Sequence, residues 1–265
     1  MTSPPSSLMD HIDTTTIVSL SVVLLILTTS YLLSQRLLQP STPNSLRILF
    51  VWHFFDFLIH TIFEGSFLYN CFFTSAAFDT AAHHPASIEN FLGRPDRLYG
   101  ARFGDNWGTK LWMVYAQADK RWAGADLTVV SLELLTVLGA GPLALYICWG
   151  IVRRNAMIGF WMTVLATGEL YGGATNLLAF CFMTFAPEWL TGNQNLDASN
   201  FMFKWVYLVF FNMLWVLLPL YAMYYAYGDM KHAFLVRNGV LLQSKVARER
   251  VQREREEREK KEKSK

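Results

Sequence analysis

Charge is scarce in this chain except at its C-terminal end. Only 17% of the 265 residues are Asp, Glu, Lys or Arg, and the last twenty are almost entirely Arg, Lys and Glu. The remaining body is very apolar, 52% of the whole chain being hydrophobic and 15% aromatic, with a positive mean hydropathy. A net charge of +2 that is confined and mixed in sign does not suit nucleic acid, and no basic–aromatic interleaving of the single-strand-binding type occurs. Cysteine is also sparse: Cys71, Cys148 and Cys181 sit singly in apolar runs, without CxxC or Cys/His spacing. Neither a metal site nor a disulfide framework is indicated, and the three read as packing residues. The N-terminus lacks the positive stretch and small-residue cleavage site of a signal peptide, so the first apolar segment is expected to be retained. No internal repeat appears, which argues against a transporter built from two related halves.

Long apolar runs are abundant. Each of five, near 13–34, 48–73, 127–151, 157–185 and 203–227, is long enough for a hydrocarbon core that needs about 20 helical residues. The expectation is an all-α polytopic membrane protein, a five-transmembrane-helix bundle. Residues 1–12 form a polar N-terminus, 13–34 the first helix, 46–227 the main membrane domain and 228–265 a charged cytosolic tail. Arg36, Arg47, Arg153, Arg154 and the tail fall on one side of five crossings, and the loop from Thr191 to Asn200 has no Lys or Arg. By the positive-inside rule the C-terminus is cytosolic and the N-terminus lumenal. Lys261 and Lys263 match a dilysine retrieval signal of the endoplasmic reticulum. The connection from Ser75 to Ala125 is loop-like, and its Trp107, Trp112, Tyr115 and Trp122 suit an interfacial aromatic belt. His83 and His84 read as a solvated loop.

Within the second run, His53, Asp56, His60 and Glu64 are spaced by 3, 4 and 4 residues. At about 100° per residue they share one narrow helical face. Placing an acid near the middle of a membrane helix costs roughly 2.5–3.5 kcal/mol on insertion scales, so such groups usually face a protein interior and a functional site. Glu133, Glu169, Asn212 and Trp215 add polar or amphipathic groups from three further spans. Taken alone, Asn212 reads as an interhelical hydrogen bond and Trp215 as packing. Glu64 and Glu133 are less easily explained as structural, because an unpaired carboxyl in hydrocarbon is expensive. His60 and Glu64, one turn apart, form a coupled pair with a proton available for general acid–base work. His53 and Asp56 read as supporting hydrogen bonds or an entrance lining.

The segments IHTIFEG (Ile59–Gly65), DLTVVSLELLT with a following GP (Asp126–Thr136, Gly141, Pro142), GELYGG (Gly168–Gly173) and VFFNMLWVLLP (Val209–Pro219) occur in an order and spacing that resembles the emopamil-binding protein family, the sterol 8,7-isomerases of the EXPERA superfamily. The resemblance implies a five-helix endoplasmic-reticulum protein that moves a sterol double bond from the 8(9) to the 7(8) position without cofactor or metal. By matching positions it implies catalytic roles for His60, Glu64, Glu133, Asn212 and Trp215. His60 and Glu64 would protonate the alkene, Glu133 and the face of Trp215 would stabilise the tertiary carbocation, and Asn212 would orient Glu133 or His60. Glu169, Tyr171 and Tyr207 are expected at the substrate. Phe55, Phe63, Phe67, Phe210 and Phe211 are candidates, with Tyr207, for the wall of a dry cavity that keeps water from the cation. The family's fourth-helix motif reads Gly-Gln-x-Tyr-Gly-Asp; Glu169 and Gly173 depart from it and put the substrate in doubt, with another polycyclic terpenoid or a non-enzymatic sterol- or amine-binding role as alternatives. The expected partners are a sterol or terpenoid substrate, amphiphilic amine inhibitors, the bilayer and a second copy in a homodimer.

Overall fold

The computed structural model describes residues 14–77, 91–174, 188, 190–196 and 201–264, with the backbone alone for 171–174. His83, His84 and Cys181 lie outside the described residues. The chain is almost wholly helical. Its first helix, α1, runs Thr14–Leu37; α2 runs Asn44–Phe73, α4 Leu127–Arg153 and α6 Phe201–Lys263, and these four are long and apolar enough to cross a membrane. Between α2 and α4 lies α3, Trp107–Tyr115, and between α4 and α6 lies α5, Ile158–Ala174. The described part of the fourth expected span, α5, is a shorter apolar helix, and the rest of that segment lies outside the described residues. The all-α membrane class stands, with four full-length spans among the described residues where five were expected.

The distribution of side chains suits lipid on the outside. Leu24, Leu25, Leu135 and Leu138 are each more than 60% exposed, whereas Ser30, Ser34, Asp56 and Asn70 are buried. Such an inside-out pattern would be unfavourable in water and is normal where the surroundings are hydrocarbon. On α1 the buried Ser30 hydroxyl donates to Ile26 O at 2.8 Å, which satisfies it within its own helix. The turn into α2 is held by Arg47, whose Nη1 donates to Ser34 O at 2.7 Å and Nη2 to Gln39 O at 3.1 Å, a cation on the free carbonyls of a helix C-terminus. At its far end α4 stops at Arg154, which takes a left-handed conformation (φ 54°) while Asn155 N reaches back to Gly150 O. In the bundle, α1 and α4 pack along α2, and α5 packs along α6.

Two helices are widened internally. The stretch Ile59–Glu64 of α2 and the stretch Thr136–Ala140 of α4 are π-helical and pack against each other, and the first eleven residues of α6, Phe201–Phe211, are π-helical too. Wide turns of this kind recur at functional sites. Gly141 follows the widened turn of α4, and a Cβ there would stand 3.4 Å from the His60 Cβ, so glycine lets α4 approach the imidazole closely.

The connection between α2 and α4 corrects the expectation of an aromatic belt. Trp112 is only 6% exposed; it stacks on Trp122 with centroids 4.6 Å apart, and both rings meet Phe67 of α2. Its Nε1 donates to Ser66 Oγ at 2.9 Å. A tryptophan with its single donor satisfied by a neighbouring helix gains more from this stack than from the headgroup layer. Strand β1 (Ser75–Ala77) pairs antiparallel with β2 (Arg97–Tyr99). Next to it Gly100, at φ 124°, passes so close to Gly124 that a Cβ would meet its Cα at 2.5 Å. The connection is thus a folded cap seated on α2. Ser66→Ala is expected to destabilise the protein by about 1 kcal/mol, measured as a lowered thermal midpoint in detergent with tryptophan fluorescence as the probe.

Candidate active site

The widened turn of α2 presents His60 and Glu64 towards α4, and the preceding α-helical turn places Asp56 one turn below. The three form a row. His60 Nδ1 is hydrogen-bonded to Glu64 Oε2, and His60 Nε2 stands 3.1 Å from Asp56 Oδ1, a charge-pairing distance without hydrogen-bond alignment. The imidazole is 2% exposed, Asp56 0% and Glu64 15%. An imidazole between two carboxyls is a proton carrier with a partner at each nitrogen.

At one end the row continues into α4. Glu133 is buried and its carboxyl lies beside that of Glu64. Thr136 Oγ1 donates to Glu133 Oε2 at 2.8 Å. At the other end it continues into α5, where carboxyl oxygens of Asp56 and Glu169 lie within 4.8 Å of each other. Trp215 of α6 donates from Nε1 to Asp56 Oδ1 at 2.8 Å, and its ring centre is 6.4 Å from that of His60. Trp215 also meets Trp52 edge-on at 5.4 Å and lies 6.3 Å from Phe55. Four helices therefore converge on one set of titratable groups, as the spacing of polar residues in the separate spans implies.

Other expected site residues fall elsewhere. Asn212 does not reach Glu133 or His60: its Nδ2 donates to Leu208 O at 2.7 Å and Tyr207 O at 3.2 Å, and its side chain meets the Tyr115 hydroxyl. The amide thus bonds within α6 and to the cap. Tyr207 is buried between Tyr115, Phe203 and Phe211, with Tyr115 edge-on at 5.7 Å. The side chain of Tyr171 lies outside the described residues. Phe210 is 55% exposed and faces outward, a correction to its place in a cavity wall, whereas Phe55, Phe63 and Phe67 are buried in one cluster with Trp215 packed against it. His53 is buried and bonded through Nδ1 to Leu49 O at 2.7 Å.

Asp56 is the residue that the sequence analysis undervalues. It lies beside His60, Trp215 and Glu169 at once. The signal was present, since Asp56 stands four residues before His60 just as Glu64 stands four after it. Among the described residues, Asp56, His60 and Glu169 are also the group able to hold a metal ion, with ligand atoms within 4.8 Å of one another.

Fold and site together define a polytopic membrane protein with a buried acid–imidazole array between its helices. Comparison with known proteins adds the family. The EXPERA (EXPanded EBP superfamily) family matches residues 107–226, and the resemblance to the emopamil-binding family seen in the motifs is supported. The match takes in Glu133, Glu169, Asn212 and Trp215, and begins after His60 and Glu64. The chain is 27% identical over 111 residues to the 3-beta-hydroxysteroid-Delta(8),Delta(7)-isomerase of Cavia porcellus, covering 42% of this chain and 45% of that protein. With the Rattus norvegicus protein of the same name it shares 24% over 203 residues, 76% of this chain and 71% of the relative. It is also 24% identical over 114 residues to isomeliandiol synthase MOI2 of Melia azedarach, covering 43% of this chain and 49% of that one. The chain thus spans less than half the length of the guinea-pig relative.

Proposed function

We propose that this protein is an intramolecular isomerase that shifts a carbon–carbon double bond in a sterol, from the 8(9) to the 7(8) position, by protonation and deprotonation through a carbocation. The observation that carries the reading is the row Glu133–Glu64–His60–Asp56 beside the Trp215 ring. The reaction needs a proton donor, a proton acceptor and a surrounding that favours a positive charge over water. His60, paired with Glu64, delivers the proton; the π electrons of the alkene form the new C–H bond, and a tertiary cation remains. The adjacent Glu64 and Glu133 carboxyls, sharing one proton, supply a nearby negative charge, and the Trp215 face adds about 2 kcal/mol of cation–π attraction where water is excluded. Loss of a proton from the neighbouring carbon restores neutrality, with the bonding pair becoming the shifted double bond. Dryness matters because water would capture the cation as an alcohol. The named function of the mammalian relatives supports this substrate class.

A second reading keeps the chemistry and changes the substrate to another polycyclic terpenoid. Similarity to a protein named isomeliandiol synthase and the carboxyl of Glu169 in place of the family's glutamine favour it. Both readings place the protein in the endoplasmic reticulum membrane, lumenal at the N-terminus and cytosolic at the C-terminus.

Incubation of the purified protein with an 8(9)-unsaturated sterol in heavy water tests the first reading. The expected product is the 7(8) isomer carrying one solvent deuteron, seen by mass spectrometry. Unchanged sterol refutes it, and a shifted terpenoid double bond from cell extract selects the second. A site built around a cation should also bind amphiphilic amines, which mimic the charged intermediate, more tightly than neutral analogues of the same shape; equal affinity for both counts against either version.

A further inference from the structure

The site has two ends. One is Glu64 with Glu133, the other Asp56 with Glu169, and His60 lies between them with one nitrogen toward each. The second end is not needed to protonate an alkene, yet it places two more acids in a nearly dry interior. Asp56 is fully buried, its Oδ1 takes the indole N–H of Trp215, and its Oδ2 has no hydrogen-bond donor. Glu169 Oε1 is likewise buried without a donor. Two buried carboxylates this close repel, and each orphaned oxygen carries a desolvation penalty; a single proton held between them relieves both. Only Glu169 of the two retains partial exposure, so Glu169 can face a substrate while Asp56 faces the imidazole.

We infer that Glu169 is the base that removes the second proton of the isomerisation, and that Asp56 passes a proton back to His60. This rests on the isomerase reading above. The sequence of events balances. A proton leaves the His60–Glu64 pair and becomes a substrate C–H bond. Glu169 carboxylate then takes a proton from the carbon on the other side of the cation, whose C–H electrons form the shifted double bond. Asp56, which holds the shared proton while Glu169 is the carboxylate, returns that proton to His60, the proton gained by Glu169 becomes the shared one, and the site regains its starting charge without oxidant or reductant. Separating donor from acceptor in this way lets the two proton positions lie on different parts of the ring system. Glu169 would thereby decide which carbon loses its proton.

The test uses Glu169→Gln and Asp56→Asn in the full-length protein. Asparagine keeps an oxygen for the Trp215 indole, and glutamine matches glutamate in size. Rates are measured with ordinary substrate, with substrate deuterated at the carbon that loses its proton, and in heavy water. For Glu169→Gln the expected result is a fall in kcat of about 10²-fold, a larger isotope effect from the deuterated substrate and a smaller solvent isotope effect, because proton removal has become limiting. Asp56→Asn should slow steady-state turnover while sparing the first turnover. A uniform loss of rate with unchanged isotope effects, or no loss in either variant, overturns the inference. So does a divalent metal that copurifies stoichiometrically and is lost in Glu169→Gln, which would make Asp56, His60 and Glu169 its ligands. A wild-type protein inert towards every sterol and terpenoid overturns the isomerase reading itself, a different result from wild-type turnover with an indifferent Glu169.

Discussion

His60→Gln is expected to lower kcat by about 10²–10⁴-fold, the usual contribution of a positioned acid–base group. Glutamine preserves much of the bulk and can still donate to Glu64 or Asp56, so the fold should persist; what it cannot do is exchange a proton near neutral pH. The imidazole is 2% exposed and holds a carboxyl at each nitrogen, and among the described residues of the row it is the single group able to link both ends. Binding of a neutral substrate analogue should change little, because His60 contributes little apolar surface. Steady-state rates and equilibrium binding measured on the same preparation separate the two quantities. Retention of more than about a tenth of the wild-type rate would exclude His60 as the proton carrier.

Glu133→Gln should cost about 10²–10³-fold in kcat, comparable with removing one preorganised electrostatic contact. Here the reason is the one negative charge that the adjacent Glu64 and Glu133 carboxyls share with a single proton, and not proton supply to the alkene. Glu133 is buried against Glu64 and fixed by the Thr136 hydroxyl at 2.8 Å, so its orientation does not have to be organised during the reaction. An amide in the same place accepts the same hydrogen bond without carrying the charge. Amphiphilic amines should therefore lose affinity in Glu133→Gln roughly in proportion to the loss of kcat, since both report stabilisation of a cation in the same cavity. His60→Gln should leave amine affinity nearly intact. If amine affinity is unchanged in Glu133→Gln while kcat falls, Glu133 acts through the proton path alone.

Much of this site can be read from the chain. The pairing of His60 with Glu64 follows from a spacing of four on one helix, and the burial of Glu133 from an acid inside an apolar run. The membrane class follows from four spans whose hydropathy leaves little alternative. What could not be read are contacts between residues far apart in sequence. Trp215 bonds Asp56 across 159 positions, and no periodicity within one helix announces that. Asp56 reads from the sequence as hydrogen-bonding support or an entrance lining, and only its neighbours from α5 and α6 show which groups it joins. The orienting role of Asn212 towards Glu133 or His60 came with the family resemblance, and its own bonds lie elsewhere. The widened start of α6 instead offered it carbonyls on its own backbone. The tryptophans of the cap resembled a belt by composition, yet Ser66 and Phe67 gave Trp112 a better place than the interface.

The π-helical turns of α2 and α4 meet each other at the level of His60 and Thr136. Such turns are also where long helices bend. Two bendable joints facing one another put the give of the bundle at mid-height, so a substrate of the proposed polycyclic kind would be admitted there by dilation. The give then lies in the backbone that carries the acid and the imidazole, and the array would tighten around its guest as the walls relax.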